Sequence, residues 1–222
     1  MQCHQPLAKC LLMLALTFQV GALHAQSSDL SVNARLLASA RSGDQAGIDR
    51  ALAEGASPNA RNRLGETVLL IALKSDRPAL ARQLIDAGTD VNQAAVNGVT
   101  PLMAAAHAGQ TEIAKLLLAK GADVNAVDRL NKNAMIYAAG QGQTDIVVVL
   151  IRAGVDPNAI YAHDLTALMW AAGYGKSETV KALLDAGAKP GLKDDRGKTA
   201  LDIAREGKYA EATALLESAG RS

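Results

Sequence analysis

Glycine recurs in this chain with a fixed period. Gly55, Gly88, Gly121, Gly154, Gly187 and Gly220 stand 33 residues apart, without a gap. A second series keeps the same 33-residue step: Gly65, Gly98, Asn131, Asp164 and Gly197. Gly, Asn and Asp are the residues that best tolerate positive φ. The changes at Asn131 and Asp164 therefore point to one backbone requirement shared by every copy. A unit this short cannot bury its own apolar face, so the period demands a stack of units.

Gly98 to Ala126 shows what one unit holds. Gly98 sits in a turn, Thr100 reads as a helix N-cap and Pro101 as the first helical residue. Leu102, Ala105 and Ala106 share one face of a short helix, and Gly109 breaks it. Thr111 is expected to cap a second helix, with Glu112 at the positive end of its dipole. Ile113, Leu116 and Leu117 form that helix's apolar face, and Gly121 closes it in the left-handed conformation.

These residues resemble the ankyrin repeat. Its helix-opening block stands here as Thr67-Val68-Leu69-Leu70, Thr100-Pro101-Leu102-Met103, Asn133-Ala134-Met135-Ile136, Thr166-Ala167-Leu168-Met169 and Thr199-Ala200-Leu201-Asp202. The closing block stands as Gly88-Thr89-Asp90-Val91-Asn92, Gly121-Ala122-Asp123-Val124-Asn125 and Gly154-Val155-Asp156-Pro157-Asn158. The family histidine is replaced by Leu70, Met103, Ile136 and Met169, which suggests apolar packing in place of its hydrogen bond. The resemblance implies an all-α solenoid of helix-turn-helix units with short β-hairpin fingers, over residues 30–222. Internal repeats fall at about 61–93, 94–126, 127–159 and 160–192. Residues 30–60 and 193–222 are degenerate, with the polar outer faces that terminal caps need.

Residues 1–25 have a different character. Met1 to Lys9 is short and weakly basic, Leu11 to Leu23 is apolar, and small residues follow. This is the three-part shape of a secretory signal peptide. The apolar run is too short for a membrane span, which needs about 20 residues. Val20-Gly21-Ala22 and Leu23-His24-Ala25 both offer a cleavage site, and the second is preferred. Residues 26–29 are expected to be a disordered lead-in. Cleavage removes Cys3 and Cys10, the only cysteines. No Asn-x-Ser/Thr sequon occurs. The expectation is a bacterial periplasmic protein, or one released to the medium, with no stable membrane span once processed.

Charge and chemistry narrow the function. With Lys9 set aside, 22 basic residues face 22 acidic ones. Such neutrality argues against a nucleic-acid partner, which needs a basic footprint. After processing only His107 and His163 remain, in different units at different positions, so neither a metal site nor a catalytic triad is expected. Gly140-x-Gly142 and Gly173-x-Gly175 follow no strand, so they are not read as phosphate loops. The expectation is a monomeric, non-enzymatic protein-binding module without cofactor. A secreted factor acting on host or competitor proteins is the alternative, and a small-ligand or metal carrier a weaker one.

The resemblance implies that fingertips and first helices form a concave binding surface. Lys132, His107 and Gln141 are among its outward positions. Aromatic residues sharpen the site. From residue 26 onward they are Tyr137, Tyr161, Trp170, Tyr174 and Tyr209, and four of the five fall in the fourth and fifth units or their junction. Tyr and Trp dominate interface hot spots. The candidate partner-binding residues are Leu130, Tyr137, Tyr161, His163, Leu165, Trp170 and Tyr174.

Overall fold

A computed structural model describes residues 32–220. The chain divides after Ala60 into two compact units. The predicted signal peptide and lead-in lie outside the described residues. Among those described there are twelve α-helices and one short 3₁₀ turn, and no helix is long and apolar enough to cross a membrane.

The first unit contains α1, helical over residues 32–42, and α2, Gln45–Ala53. Leu36 on α1 and Ile48 on α2 are fully buried, and Asp44 caps α2 by accepting from the Gly47 N–H.

The second unit repeats one helix pair five times. The first helices are α3 (Val68–Lys74), α5 (Pro101–Ala108), α7 (Ala134–Gln141), α9 (Ala167–Gly173) and α11 (Ala200–Glu206). The second helices are α4 (Pro78–Asp86), α6 (Thr111–Ala119), α8 (Thr144–Arg152), α10 (Ser177–Asp185) and α12 (Ala210–Ala219). Each first helix packs on its own second helix and on the first helix of the next repeat, and the second helices form a parallel row. The result is two layers of helices with the core between them. Ala72, Ala105, Ala138, Ala171 and Ala204 occupy one position on successive first helices, and all are fully buried. A side chain this small lets neighbouring helices approach closely.

Every first helix starts the same way. The side chains of Thr67, Thr100, Asn133, Thr166 and Thr199 accept from the backbone N–H three residues on. That residue is Leu70, Met103, Ile136 or Met169 in four repeats, each no more than 2% exposed, so apolar packing does fill the place of the family histidine. In the last repeat it is Asp202, which accepts from the Thr199 N–H and hydroxyl. Those bonds hold the Asp202 carboxyl below its usual range.

The second helices differ from expectation at their starts. Thr111 is the first helical residue, and Gln110 holds the cap position without a capping side-chain bond. Gln110 instead reaches the preceding repeat, donating from Nε2 to the Leu73 carbonyl and the Asp76 carboxylate, both at 3.0 Å. Gln143, Lys176 and Tyr209 occupy the same position and lie against Gly109, Gly142 and Gly175. These side chains turn away from their own helices to join one repeat to the one before.

The positive-φ requirement holds at the turn positions, with Asn131 and Asp164 both at φ 55° beside Gly65, Gly98 and Gly197. It also reveals a third series, between the two helices of each repeat, where Asp76 (φ 51°) and Lys208 (φ 58°) stand with the glycines. Gly220 departs from its series. Its φ is −77° as the C-cap of α12.

The closing loops are tied across repeats by asparagine. Asn92 donates to the Gly121 carbonyl and accepts from the Asp123 N–H, and Asn158 repeats this with Gly187 and Lys189. The fingers are tight turns rather than strand ladders, with a single isolated bridge, Arg61 to Thr67, among the described residues. In three of them an Asx side chain holds the turn: Asn62, Asp128 and Asp194 each accept two backbone N–H groups on Oδ1. Asp128 is 7% exposed, and its Oδ2 accepts the Tyr137 hydroxyl at 2.7 Å. Burial, and then the bond to the Asp128 carboxylate and its charge, push the Tyr137 phenol up from 10.0 to about 12. Burial opposes ionisation of Asp194, but hydrogen bonds from Lys198 and Arg196 outweigh it and hold this carboxyl low.

Leu117 is fully buried in α6. Leu117→Ala should cost about 2–5 kcal/mol as a core cavity. Gly121 has φ 85° with open space where a Cβ would stand. Gly121→Ala should therefore cost only the backbone strain, about 1–2 kcal/mol. Thermal melts check both, and an unchanged midpoint for Leu117→Ala would refute the face assignment.

Asp128→Ala strands two loop N–H groups and a phenol, at about 1–3 kcal/mol for such groups left unbonded. The Tyr137 phenol, raised in the folded state, favours its neutral form there. Its stabilisation is complete below pH 10 and is lost as pH rises through about 12. Phenolate absorbance during an alkaline titration should show late-ionising tyrosine, of which Tyr137→Phe removes one equivalent. A titration unchanged by that substitution contradicts the assignment.

Candidate functional site

The fingers and first helices of the two repeats that contain α7 and α9 bring the candidate residues to one side of the second unit. Leu130 lies on a fingertip and is 65% exposed. Tyr161, His163 and Leu165 come from the next finger, around the single turn Ala162–Asp164. Tyr137 and Trp170 occupy the same position on α7 and α9, and both are half-buried. Tyr174 is the C-cap of α9 and is 55% exposed.

The rings are arranged by their neighbours. Trp170 and Tyr174 stack with centroids 5.8 Å apart and planes 13° from parallel. They lie over the α7 backbone at Gly140, where an added Cβ would stand 3.5 Å from the Trp170 ring and 3.7 Å from that of Tyr174. The Lys132 ammonium sits 4.5 Å over the Trp170 ring centroid. His107 meets Tyr137 edge to face, with centroids 5.8 Å apart.

Three depressions run along this side and share walls. One, of about 360 Å³, lies between Leu130, Lys132, Tyr161, His163, Leu165 and Trp170. The second, of about 200 Å³, is lined by His107, Lys132, Tyr137, Gly140, Trp170 and Tyr174. Lys132 and Trp170 belong to both. The third, of about 340 Å³, joins the second through His107 and Tyr137 and continues to Lys74, Val99 and Met103. All seven candidate residues line this run.

They do not all present free polar groups. The Tyr137 hydroxyl is committed to Asp128. The Tyr161 hydroxyl accepts from the side chain of Asn133, the N-cap of α7, and burial raises its pKa. His163 Nδ1 lies 2.9 Å from Asp195 Oδ2, and its carbonyl accepts the Asp195 N–H. These three residues set the walls. Leu130 and Tyr174 offer exposed surface, and Trp170 joins the depressions.

Lys132, His107 and Gly140 also build the site. Sequence reasoning placed the first two among outward positions but built the site from aromatic and apolar residues. Gly140 carries a sequence signal of its own, a glycine inside a helix. Tyr209, the aromatic left out of the site, packs against Gly175 and Gly207 in the last repeat.

Among the described residues no group of three or more His, Cys, Asp or Glu could hold a metal. A comparison with curated proteins finds no match to this chain. The family described as ankyrin repeats (3 copies) matches three overlapping segments, residues 36–128, 76–161 and 134–221. These segments span nearly all the described residues, and the chain belongs to the ankyrin-repeat family, whose repeats are generally protein–protein interaction modules.

Proposed function

We propose that this protein is a non-enzymatic binding module, exported across the inner membrane of a bacterium, that holds a periplasmic or envelope protein against its fingers and first helices. The observation that carries the binding reading is the shared run of depressions walled by Trp170, Tyr174, Tyr161 and Leu130. Monomeric proteins tend to keep such apolar surface for contacts. Stacked aromatic rings supply large contact area at low entropic cost. The family is typically non-enzymatic. Export rests on the sequence of residues 1–25 alone.

The test is made in the producing cell. A photo-cross-linking residue in place of Tyr174 should trap a discrete partner, while one in place of Lys181, exposed on α10, should not. Leu130→Ala with Tyr174→Ala should lower recovery of that partner about tenfold or more. Both side chains are largely exposed, so the fold should be retained in far-ultraviolet circular dichroism. Fractionation and intact mass should find the chain outside the cytoplasm, beginning at Gln26. Equal cross-linking from both positions would eliminate this binding mode, and a full-length cytoplasmic product would eliminate export.

A further inference from the structure

We propose that the groove selects a polypeptide segment in which an acidic residue is flanked closely by large apolar ones, with Lys132 as the reader of the carboxylate. This rests on the reading of the groove as a protein-binding surface, and it names the chemistry of the partner.

The charges around the groove are unequally committed. Asp128 has its Oδ1 on the Leu130 and Lys132 N–H groups, at 2.8 and 2.9 Å, and its Oδ2 on the Tyr137 hydroxyl. Asp195 faces His163. Glu66, farther along the fingers, holds Lys74. Asp164, on the fifth fingertip, is exposed but lines neither of the two depressions that meet at Trp170. Lys132 is different. Among the described residues no carboxylate pairs with its ammonium, which rests on the face of Trp170. Arg129, exposed beside Leu130 on the same finger, has no ion pair among the described residues either.

Geometry turns this cation into a reader. An ammonium has three donors and no acceptor. The aromatic face holds it by its charge, and its N–H donors remain available to an incoming oxygen. The ring also fixes where the ammonium stands, so a carboxylate arriving there orders little more of the side chain. Lys132 belongs to the wall that the two depressions share. A carboxylate bound to it therefore has an apolar seat on either side, one against Leu130, Leu165 and Tyr161, the other against Tyr174 and Tyr137. A basic segment would meet like charge from Lys132 and Arg129 at the centre of the contact.

The experiment is a selection of random short peptides displayed on phage against the processed chain. Trp170 is the only tryptophan, so its emission reports directly on occupancy of the groove. Enriched peptides should carry Asp or Glu between Leu, Ile or Phe, and their synthetic forms should shift the Trp170 emission. Lys132→Gln should weaken these peptides about tenfold and flatten the salt dependence of binding. Selection on Lys132→Glu should lose the acidic preference, and circular dichroism of both variants should match the parent. Peptides that shift Trp170 but show no acidic preference, or that bind Lys132→Glu undiminished, would overturn the inference and leave the groove standing. Enrichment of no peptide that moves the Trp170 emission would remove the inference and the groove together.

Discussion

A pair of short helices has an apolar face that it cannot cover, and here the cover is another pair. Leu84, Leu117, Leu150, Leu183 and Leu216 hold one position on successive second helices, none more than 1% exposed. Such helices, seven to ten residues long, would be marginal in isolation. Their stability therefore comes from neighbours, and the contacts between repeats matter as much as those within them. Asn92 and Asn158 tie closing loops together, Gln110 ties α6 to the end of α3, and fingertip carbonyls of Leu64, Asn97 and His163 accept from the next finger. These bonds use backbone groups that turns would otherwise leave to water.

The site follows from that stacking. Because the repeats share one register, position four of each first helix faces the same side at every step. Aliphatic or small residues at this position, as in Ile71, Ala104 and Ile203, leave a low surface. Tyr137 and Trp170 raise it in two adjacent repeats, and Gly140 lets the Trp170 and Tyr174 rings settle onto α7. The finger above is held by Asp128, which accepts from the N–H of two residues that line the groove, Leu130 and Lys132. Loop rigidity and groove position thus share one buried carboxylate.

Much of this was legible in the sequence because the constraints were local and repeated. A positive φ leaves its mark as Gly, Asn or Asp, and a helix start leaves its mark as Thr or Asn. The end of the array departs at Gly220, which caps α12 with φ −77° where Gly55, Gly88, Gly121, Gly154 and Gly187 all have positive φ. Thr111 was misread as a cap because cap propensity speaks only of a residue's own helix. The winning role of Gln110 lies in the preceding repeat, at the Leu73 carbonyl and Asp76. The third positive-φ series was half-hidden for a similar reason: Lys208 adopts φ 58° without being a residue that advertises it.

The candidate site shows where such reading stops. Residue type identified the aromatic members, because large side chains in an aromatic-poor chain stand out. It could not single out Lys132, whose place in the proposal comes from standing 4.5 Å over one ring while nearby carboxylates are turned to other donors. Tyr137 and Tyr174 differ in what holds them: the Tyr137 hydroxyl is bonded to Asp128, while Tyr174 is 55% exposed. A partner meeting this side encounters a fixed wall at Tyr137 and Tyr161, whose hydroxyls are tied to the fold, and a more open edge at Leu130 and Tyr174. Fixed walls favour shape selection and the open edge favours added area. The proposed groove therefore pairs a central wall tied by hydrogen bonds with a more exposed rim, the layout in which a few central residues would dominate binding.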